Sequence, residues 1–316
     1  MTGFAISNPA SIDAGTSVGA VALTVSDLDR SRAFYETVLG LSTAPCADGS
    51  LALRAGPEGM ALLTLHEDRN AAPCDPHANG LFHLALLVPT RVHLADALTR
   101  IVSARWPLTG ASDHLVSEAL YLRDPDGNGI EIYRDRPRTE WARDQRGALQ
   151  MATLALDLDA LLGERDRIGG PSTGAHGSSL APGTRIGHVH LRVSDLVRAE
   201  QFYCGVLGFD VTVRAYPGAL FVSAGGYHHH IGLNTWQSRG AAPLLSGGVG
   251  LRSFTVSLPD AAALESVLQS VRGAGVEVVP FVQDRAGEDL ARAGVAGPAP
   301  ALVRDPFGIA VVLRLT

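Results

Sequence analysis

The chain has 316 residues, 46% of them hydrophobic, with 26 basic against 32 acidic side chains and a formal net charge of −6. Every basic residue is an arginine, which excludes Schiff-base chemistry, a lysine general base and phosphate loops that need lysine. No basic run marks a nucleic-acid surface, no apolar run reaches the ~18 residues of a membrane span, and the N-terminus lacks a secretion-signal pattern, so the expectation is a cytoplasmic protein without nucleic-acid or membrane partners.

In chain order, the alternating stretch 21–25 (VALTV) predicts a strand. Ser26 and Asp27 then give a helix N-cap signal. The helix that follows carries apolar Leu28, Ala33, Phe34, Val38 and Leu39 and is stopped by Gly40. Short strands are expected over 51–54 and 60–65, then a second strand at 83–88 and a second helix at 92–102. A strand at 120–122, the turn 124–129 (DPDGNG) and a closing strand at 130–133 complete the plan. Beyond it, 151–165 reads as one helix with Leu154, Leu156, Leu158, Leu161 and Leu162 apolar, and 168–183 as a Gly/Ser/Pro-rich linker. Cys46, Cys74 and Cys204 are too few and too scattered for a disulfide framework or a thiolate cage.

The plan then repeats. Residues 18–41 align without a gap on 186–209, with Gly19, Val21, Leu23, Val25, Ser26, Asp27, Leu28, Arg30, Phe34, Tyr35, Val38, Leu39 and Gly40 meeting identical residues. Weaker repeats pair 80–89 with 250–259 and 124–131 with 305–312. Such self-similarity is the mark of a tandem duplication. Its halves lie at 16–135 and 184–315, joined by a helix and linker over 136–183. Each half holds two βαβββ-like units, so the fold class is α+β with four βαβββ modules forming two domains.

Four such units, with a strand–SDL–helix–FY–LG opening and a DPDGNGIE closing turn, resemble the vicinal oxygen chelate superfamily, which includes glyoxalases, bleomycin-binding proteins and type I extradiol dioxygenases. More narrowly, VSEALY at 116–121, GIEIYRDRPR at 129–138 and SAGGYHHHIGLN at 223–234 resemble the two-domain bacterial catechol 2,3-dioxygenases. The resemblance implies Fe(II), with Mn(II) as the alternative metal, and extradiol cleavage of a small aromatic diol by O2. It implies one metal ligand from the opening strand of one unit, a second from that of its partner, and a Glu from the partner's closing strand.

The duplication gives a separate comparison. The first unit has Ala20 and Ala22 where the third has His188 and His190. The second unit has His83 and Glu131 where the fourth has Ser253 and Val312. Neither half alone holds two histidines and a carboxylate at these places, but units two and three together do. The expected metal set is therefore His83, His188 and Glu131, a facial arrangement suited to ferrous iron in oxygen chemistry. A Glu on an apolar strand also needs something positive to neutralise it. His188 and His190 point to one face of their strand. Register favours His188 as the ligand and leaves His190 to the substrate pocket, with His190 as the alternative ligand.

Within the resemblance, the acid–base histidine lies on the Tyr227–His230 run, expected to be a strand, at His229, with His228 as the alternative and as a substrate contact. Tyr121 matches the tyrosine that binds substrate oxygen, and His114 resembles the second pocket histidine. His66, His77, His93 and His176 read as surface residues. Substrate specificity is expected from 41–65 and 209–223. Two competitors share the fold: a glyoxalase-type isomerase or lyase, whose sites add a further carboxylate ligand, and an antibiotic-sequestering binding protein. A homo-oligomer is also expected.

Overall fold

A computed structural model describes residues 11–145, 147–167, 179–244, 248–281 and 298–316. The first unit comprises β1 (Ser17–Val25), α1 (Leu28–Thr37), β2 (Ser42–Pro45), β3 (Leu51–Arg54) and β4 (Ala61–Glu67). The second comprises β5 (Gly80–Leu87), α2 (Arg91–Ser103), β6 (Leu108–Asp113), β7 (Ser117–Arg123) and β8 (Gly129–Asp135). A short helical turn at Arg138–Glu140, β9 (Leu154–Ala155) and α3 (Leu158–Arg167) lie between the halves. The third unit is β10 (Arg185–Arg192), α4 (Leu196–Tyr203), β11 (Asp210–Val213), β12 (Ala219–Ser223) and β13 (Ile231–Asn234). The fourth is β14 (Gly250–Leu258), α5 (Ala261–Gly273), β15 (Val279–Pro280), β16 (Ala301–Arg304) and β17 (Ala310–Leu315).

All four are βαβββ units. In each, the first and last strands pair in parallel through the helical crossover, as β1 with β4, β5 with β8, β10 with β13 and β14 with β17. The units join across the halves. β1 pairs antiparallel with β14, giving the sheet β15-β16-β17-β14-β1-β4-β3-β2, and β10 pairs antiparallel with β5, giving β11-β12-β13-β10-β5-β8-β7-β6-β9. Units two and three thus share one curled sheet, and units one and four share the other.

Strand alternation divides the faces. On β1, Val21, Leu23 and Val25 are fully buried in the main core, and Val189 and Leu191 on β10, with Val193 just past its end, are their counterparts. The opposite face holds Ala20 and Ala22 on β1 but His188 and His190 on β10. Helix starts follow the sequence signals: Asp27 accepts from the Arg30 amide at 2.9 Å, and Asp260 from the Ala263 amide at 2.8 Å. Gly40 and Gly208 end their helices at φ +74° and +89°, where a side chain would be strained.

One lock recurs in both halves. The Asp124 carboxylate accepts from Tyr35 Oη at 3.0 Å and from the Asn128 amide at 2.8 Å. Asp305 accepts from Tyr203 Oη at 2.9 Å and from the Ile309 amide at 2.8 Å. In each case a helix tyrosine fixes the turn that launches a closing strand, and the first of these strands carries Glu131.

Three expectations need correction. The single helix over 151–165 does not form: Leu154 and Ala155 pair with Asp113 and Ser112 on the open edge of β6, and the helix begins only at Leu158. The edge's unpaired amides and carbonyls outweigh helix propensity there, and Asp157, accepting from the Ala160 amide at 2.9 Å, sets the later start. Of the 168–183 linker, 168–178 lies outside the described residues, together with His176, but Leu180 beyond it is buried and its amide donates to Gly40 O at 2.6 Å. Finally, 227–230 is not strand: the chain turns at Gly225 and Gly226, both at positive φ, and β13 begins at Ile231.

Candidate metal centre and active site

The register of the second sheet sets one row of residues across four strands. Tyr121 on β7 pairs with Glu131 on β8, Glu131 with Ala85 on β5, and Ala85 with His188 on β10. Ala85 is small and fully buried, so side chains from the flanking strands converge over it. His83, two residues before Ala85 and on the same face, completes the group from the next row, where it pairs with His190.

The Nε2 atoms of His83 and His188 lie 3.0 and 3.1 Å from Glu131 Oε2. Ligand atoms of the three residues all lie within 4.8 Å of one another, and all three residues are buried. Burial by itself would raise the Glu131 carboxyl, but the His188 and His83 rings outweigh it and hold the group well below the usual carboxylate range. The His83 Nε2 atom is buried without a hydrogen-bond partner despite its closeness to the carboxylate. A lone pair aimed at a shared point and a carboxylate without a guanidinium partner are what a divalent metal would satisfy.

A cavity of about 450 Å³ opens over this cluster. His83, Glu131, His190, His229, Tyr121 and His114 all line it. His190 is held against Phe82 and Trp236, with ring centroids at 5.1 and 5.4 Å. Burial and the neighbouring His83 and His188 rings push His190 well below the usual imidazole range. The ring has room only because position 232 is glycine, where a Cβ would lie 2.9 Å from His190 Cγ. The His229 ring lies tilted against that of His188, with centroids 4.2 Å apart.

On the opposite wall His114 Nδ1 lies 2.6 Å from the Ala152 carbonyl and Nε2 lies 2.7 Å from Tyr121 Oη. A carbonyl only accepts, so Nδ1 carries the proton and bare Nε2 accepts the tyrosine O–H. The Tyr121 oxygen then offers its lone pairs to the cavity. Burial, reinforced by nearby Glu131, keeps its hydroxyl well above the ordinary range, so it stays a neutral phenol.

His228 is absent from the cavity lining. It is fully buried behind His229, bonded to His229 and to Asp135. Of the surface group, His66 is half-buried on β4, 3.8 Å from Asp48, while His77 and His93 bond to the Gln237 carbonyl and to Thr90. The three cysteines are free.

Sequence reasoning missed three parts of the site. The aromatic wall of Phe82, Tyr216, Phe221 and Trp236 carries no motif. Residues 151–153, read as helix, line the cavity as irregular chain, with Thr153 Oγ1 3.0 Å from Tyr216 Oη. Segment 41–65 belongs to the other sheet and contributes nothing to the lining, whereas 209–223 supplies Tyr216 and Phe221. Asp135 lies two residues beyond the predicted strand 130–133, but β8 extends to it, and Glu131, Tyr133 and Asp135 alternate onto one face.

The sequence profile of the Glyoxalase/Bleomycin resistance protein/Dioxygenase superfamily matches residues 17–132 and 185–313. The chain belongs to this superfamily. A curated relative, Catechol-2,3-dioxygenase of Bacillus subtilis (strain 168), is 44% identical over 272 residues, covering 85% of this chain and 92% of the relative. A solved Bacillus subtilis structure shares the fold at TM-score 0.63 and 14% identity, over 96% of this chain and 85% of that one. Glyoxalase I from Zea mays does so at TM-score 0.54 and 17% identity, over 95% and 92%. No helix among the described residues is long and apolar enough to cross a membrane.

Proposed function

We propose that the protein is a ferrous-iron-dependent extradiol dioxygenase that opens the ring of catechol or a substituted catechol beside its hydroxyl pair, using O2. The observation that carries this reading is the convergence of His83, His188 and Glu131 at one buried point beneath a cavity that also holds His229 and Tyr121. The Bacillus relative's name, at 44% identity across most of both chains, supports it.

His83, His188 and Glu131 would hold the metal; manganese is the alternative occupant, because the same donors accept both. Bound there, the metal supplies the redox coupling between diol and dioxygen that the side chains lack. The rest falls to the chain. Phe82, Phe221 and Trp236 present apolar faces for an aryl ring and keep water from it. Tyr121, its own proton given to His114, accepts a hydrogen bond from a diol hydroxyl and so orients the ring. His229, on the far side, takes the diol proton and returns it later; burial and the neighbouring histidine rings hold it well below the usual imidazole range, so it starts as a neutral base. His190 borders the substrate without joining the ligand set.

A glyoxalase-type isomerase on this fold needs a further carboxylate ligand, and no second Asp or Glu joins the cluster among the described residues. The deciding experiment reconstitutes the protein anaerobically with ferrous iron, adds catechol and air, and follows oxygen uptake with the yellow ring-opened product. A parallel manganese arm identifies the metal. No oxygen uptake with catechol or a panel of substituted catechols would sink the reading.

A further inference from the structure

His228 and Asp135 form a directed hydrogen-bond chain that ends on His229. His228 Nε2 lies 2.8 Å from Asp135 Oδ1, and His228 Nδ1 lies 2.8 Å from His229 Nδ1. Tyr227 Oη donates to both oxygens of the same carboxylate at 3.1 and 3.0 Å, and Tyr133 Oη lies 2.7 Å from Tyr227 Oη. With His228 as the neutral ring, every proton in this chain has one place. A carboxylate only accepts, so His228 Nε2 carries a proton. In the neutral ring Nδ1 is then a bare acceptor, and among the described residues the donor facing it is His229 Nδ1. The Tyr227 proton is committed to Asp135, so Tyr133 donates to Tyr227.

From this geometry we infer that Asp135 and His228 are positioning residues that fix His229 as the Nδ1–H tautomer, leaving its unprotonated Nε2 as the atom offered to the cavity. The inference rests on the acid–base role given to His229 above. It also removes His228 from the substrate contacts and gives it a task behind them.

The surroundings hold the chain rigid. His228 is fully buried between Tyr227, at 4.0 Å, and Trp141, at 5.4 Å between ring centroids. Thr212 Oγ1 donates to the His228 carbonyl at 2.7 Å. Arg138 lies over the Trp141 ring at 5.4 Å. Neither imidazole can therefore flip without breaking packed contacts, and tautomer choice falls to the carboxylate. A histidine held in the wrong tautomer keeps its place but cannot take the substrate proton.

The test uses the full chain loaded with zinc, which is diamagnetic, with ¹⁵N-labelled histidine, and reads each ring's protonated nitrogen from long-range ¹H–¹⁵N spectra. Peaks are assigned with single histidine variants. His229 protonated at Nδ1 and His228 at Nε2 is the expected result; His229 protonated at Nε2 overturns the inference. In the iron-loaded enzyme, Asp135→Leu should lower kcat by about a hundredfold, the lower end of what acid–base catalysis contributes, with little change in KM. Asp135→Asn, whose amide can turn its NH2 toward His228 Nε2 and so reverse both tautomers, should not restore it. A raised KM in His228→Ala with kcat preserved would overturn the positioning role in favour of a substrate contact. If the tautomers are as stated but no catechol is turned over, the chain stands and the dioxygenase reading falls. If Asp135→Leu does not fold, the wild-type tautomer still decides.

Discussion

The Asp305→Asn substitution isolates the electrostatic cost of the lock at the start of β17. Asp305 is 5% exposed, and burial pushes its carboxyl up to about 6 from 3.8, against hydrogen bonds from the Ile309 and Phe307 amides and Tyr203 that pull the other way. The folded-state value lies above the unfolded one, so the folded protein binds more protons in this window. The group's favourable contribution is then complete below about pH 4 and is lost as pH rises through about 6. A shift of about two units corresponds to about 3 kcal/mol, of which about half develops between pH 5 and pH 8. Asparagine keeps an acceptor for the two amides and cannot ionise. Urea titrations of both proteins across that range should therefore show the variant gaining about 1.4 kcal/mol relative to wild type as pH rises. A difference independent of pH, or one that shrinks with rising pH, would refute the claim that burial of charge dominates at this carboxylate.

Three further outcomes follow from named contacts. Glu131→Ala leaves two imidazoles and no carboxylate at the centre, so iron measured after anaerobic loading and desalting should fall far below one per chain; retained stoichiometric iron would remove Glu131 from the ligand set. Gly187→Ala places a Cβ 1.9 Å from Tyr133 Oη and 3.0 Å from Leu87 Cβ, an overpacking that should cost about 1–3 kcal/mol in a urea melt. Glu118, 3% exposed, is bonded by Arg91, Arg134 and Arg136 at 2.9, 2.8 and 3.2 Å, and although burial would raise its carboxyl, the arginines hold it low. Its stabilisation is present above the unfolded carboxylate range and lost as pH falls, so Glu118→Gln should cost about 3 kcal/mol near neutrality and progressively less below about pH 4.5, read by thermal melts against pH.

The fold was legible because the duplication wrote it twice: Asp27 and Asp195, Tyr35 and Tyr203, and Gly40 and Gly208 perform the same local tasks at repeat positions. Comparing those positions also singled out His83, His188 and Glu131, since a ligand has no use in the sheet that lacks the other two. What stayed hidden has no local signature. The aromatic wall is made by Phe82, Tyr216, Phe221 and Trp236 from three segments that the β5–β10, β10–β13 and β12–β13 pairings bring together. The triple histidine was expected to be strand but precedes β13, where two glycines at positive φ redirect the chain.

The connection between the halves is far longer than its path requires. Tyr133 pairs with Leu87, and Leu87 with Arg185, so the end of β8 and the start of β10 lie in one row, two strand spacings or about 10 Å apart. A few residues could close that gap, yet the chain spends 136–184 on it. The surplus is put to use at the cavity. Trp141 packs against His228, the Ala152 carbonyl sets the tautomer of His114, Thr153 reaches Tyr216 across the cavity, and α3 is tied to α2 through Arg91, which donates to the Ala160 carbonyl and to Glu164. In the sheet of units one and four the two halves meet through β1 and β14, far apart in the chain. The second sheet carries His83, His188 and Glu131 together with the segment that borders the cavity over them, whereas the first has Ala20, Ser253 and Val312 at the matching repeat positions.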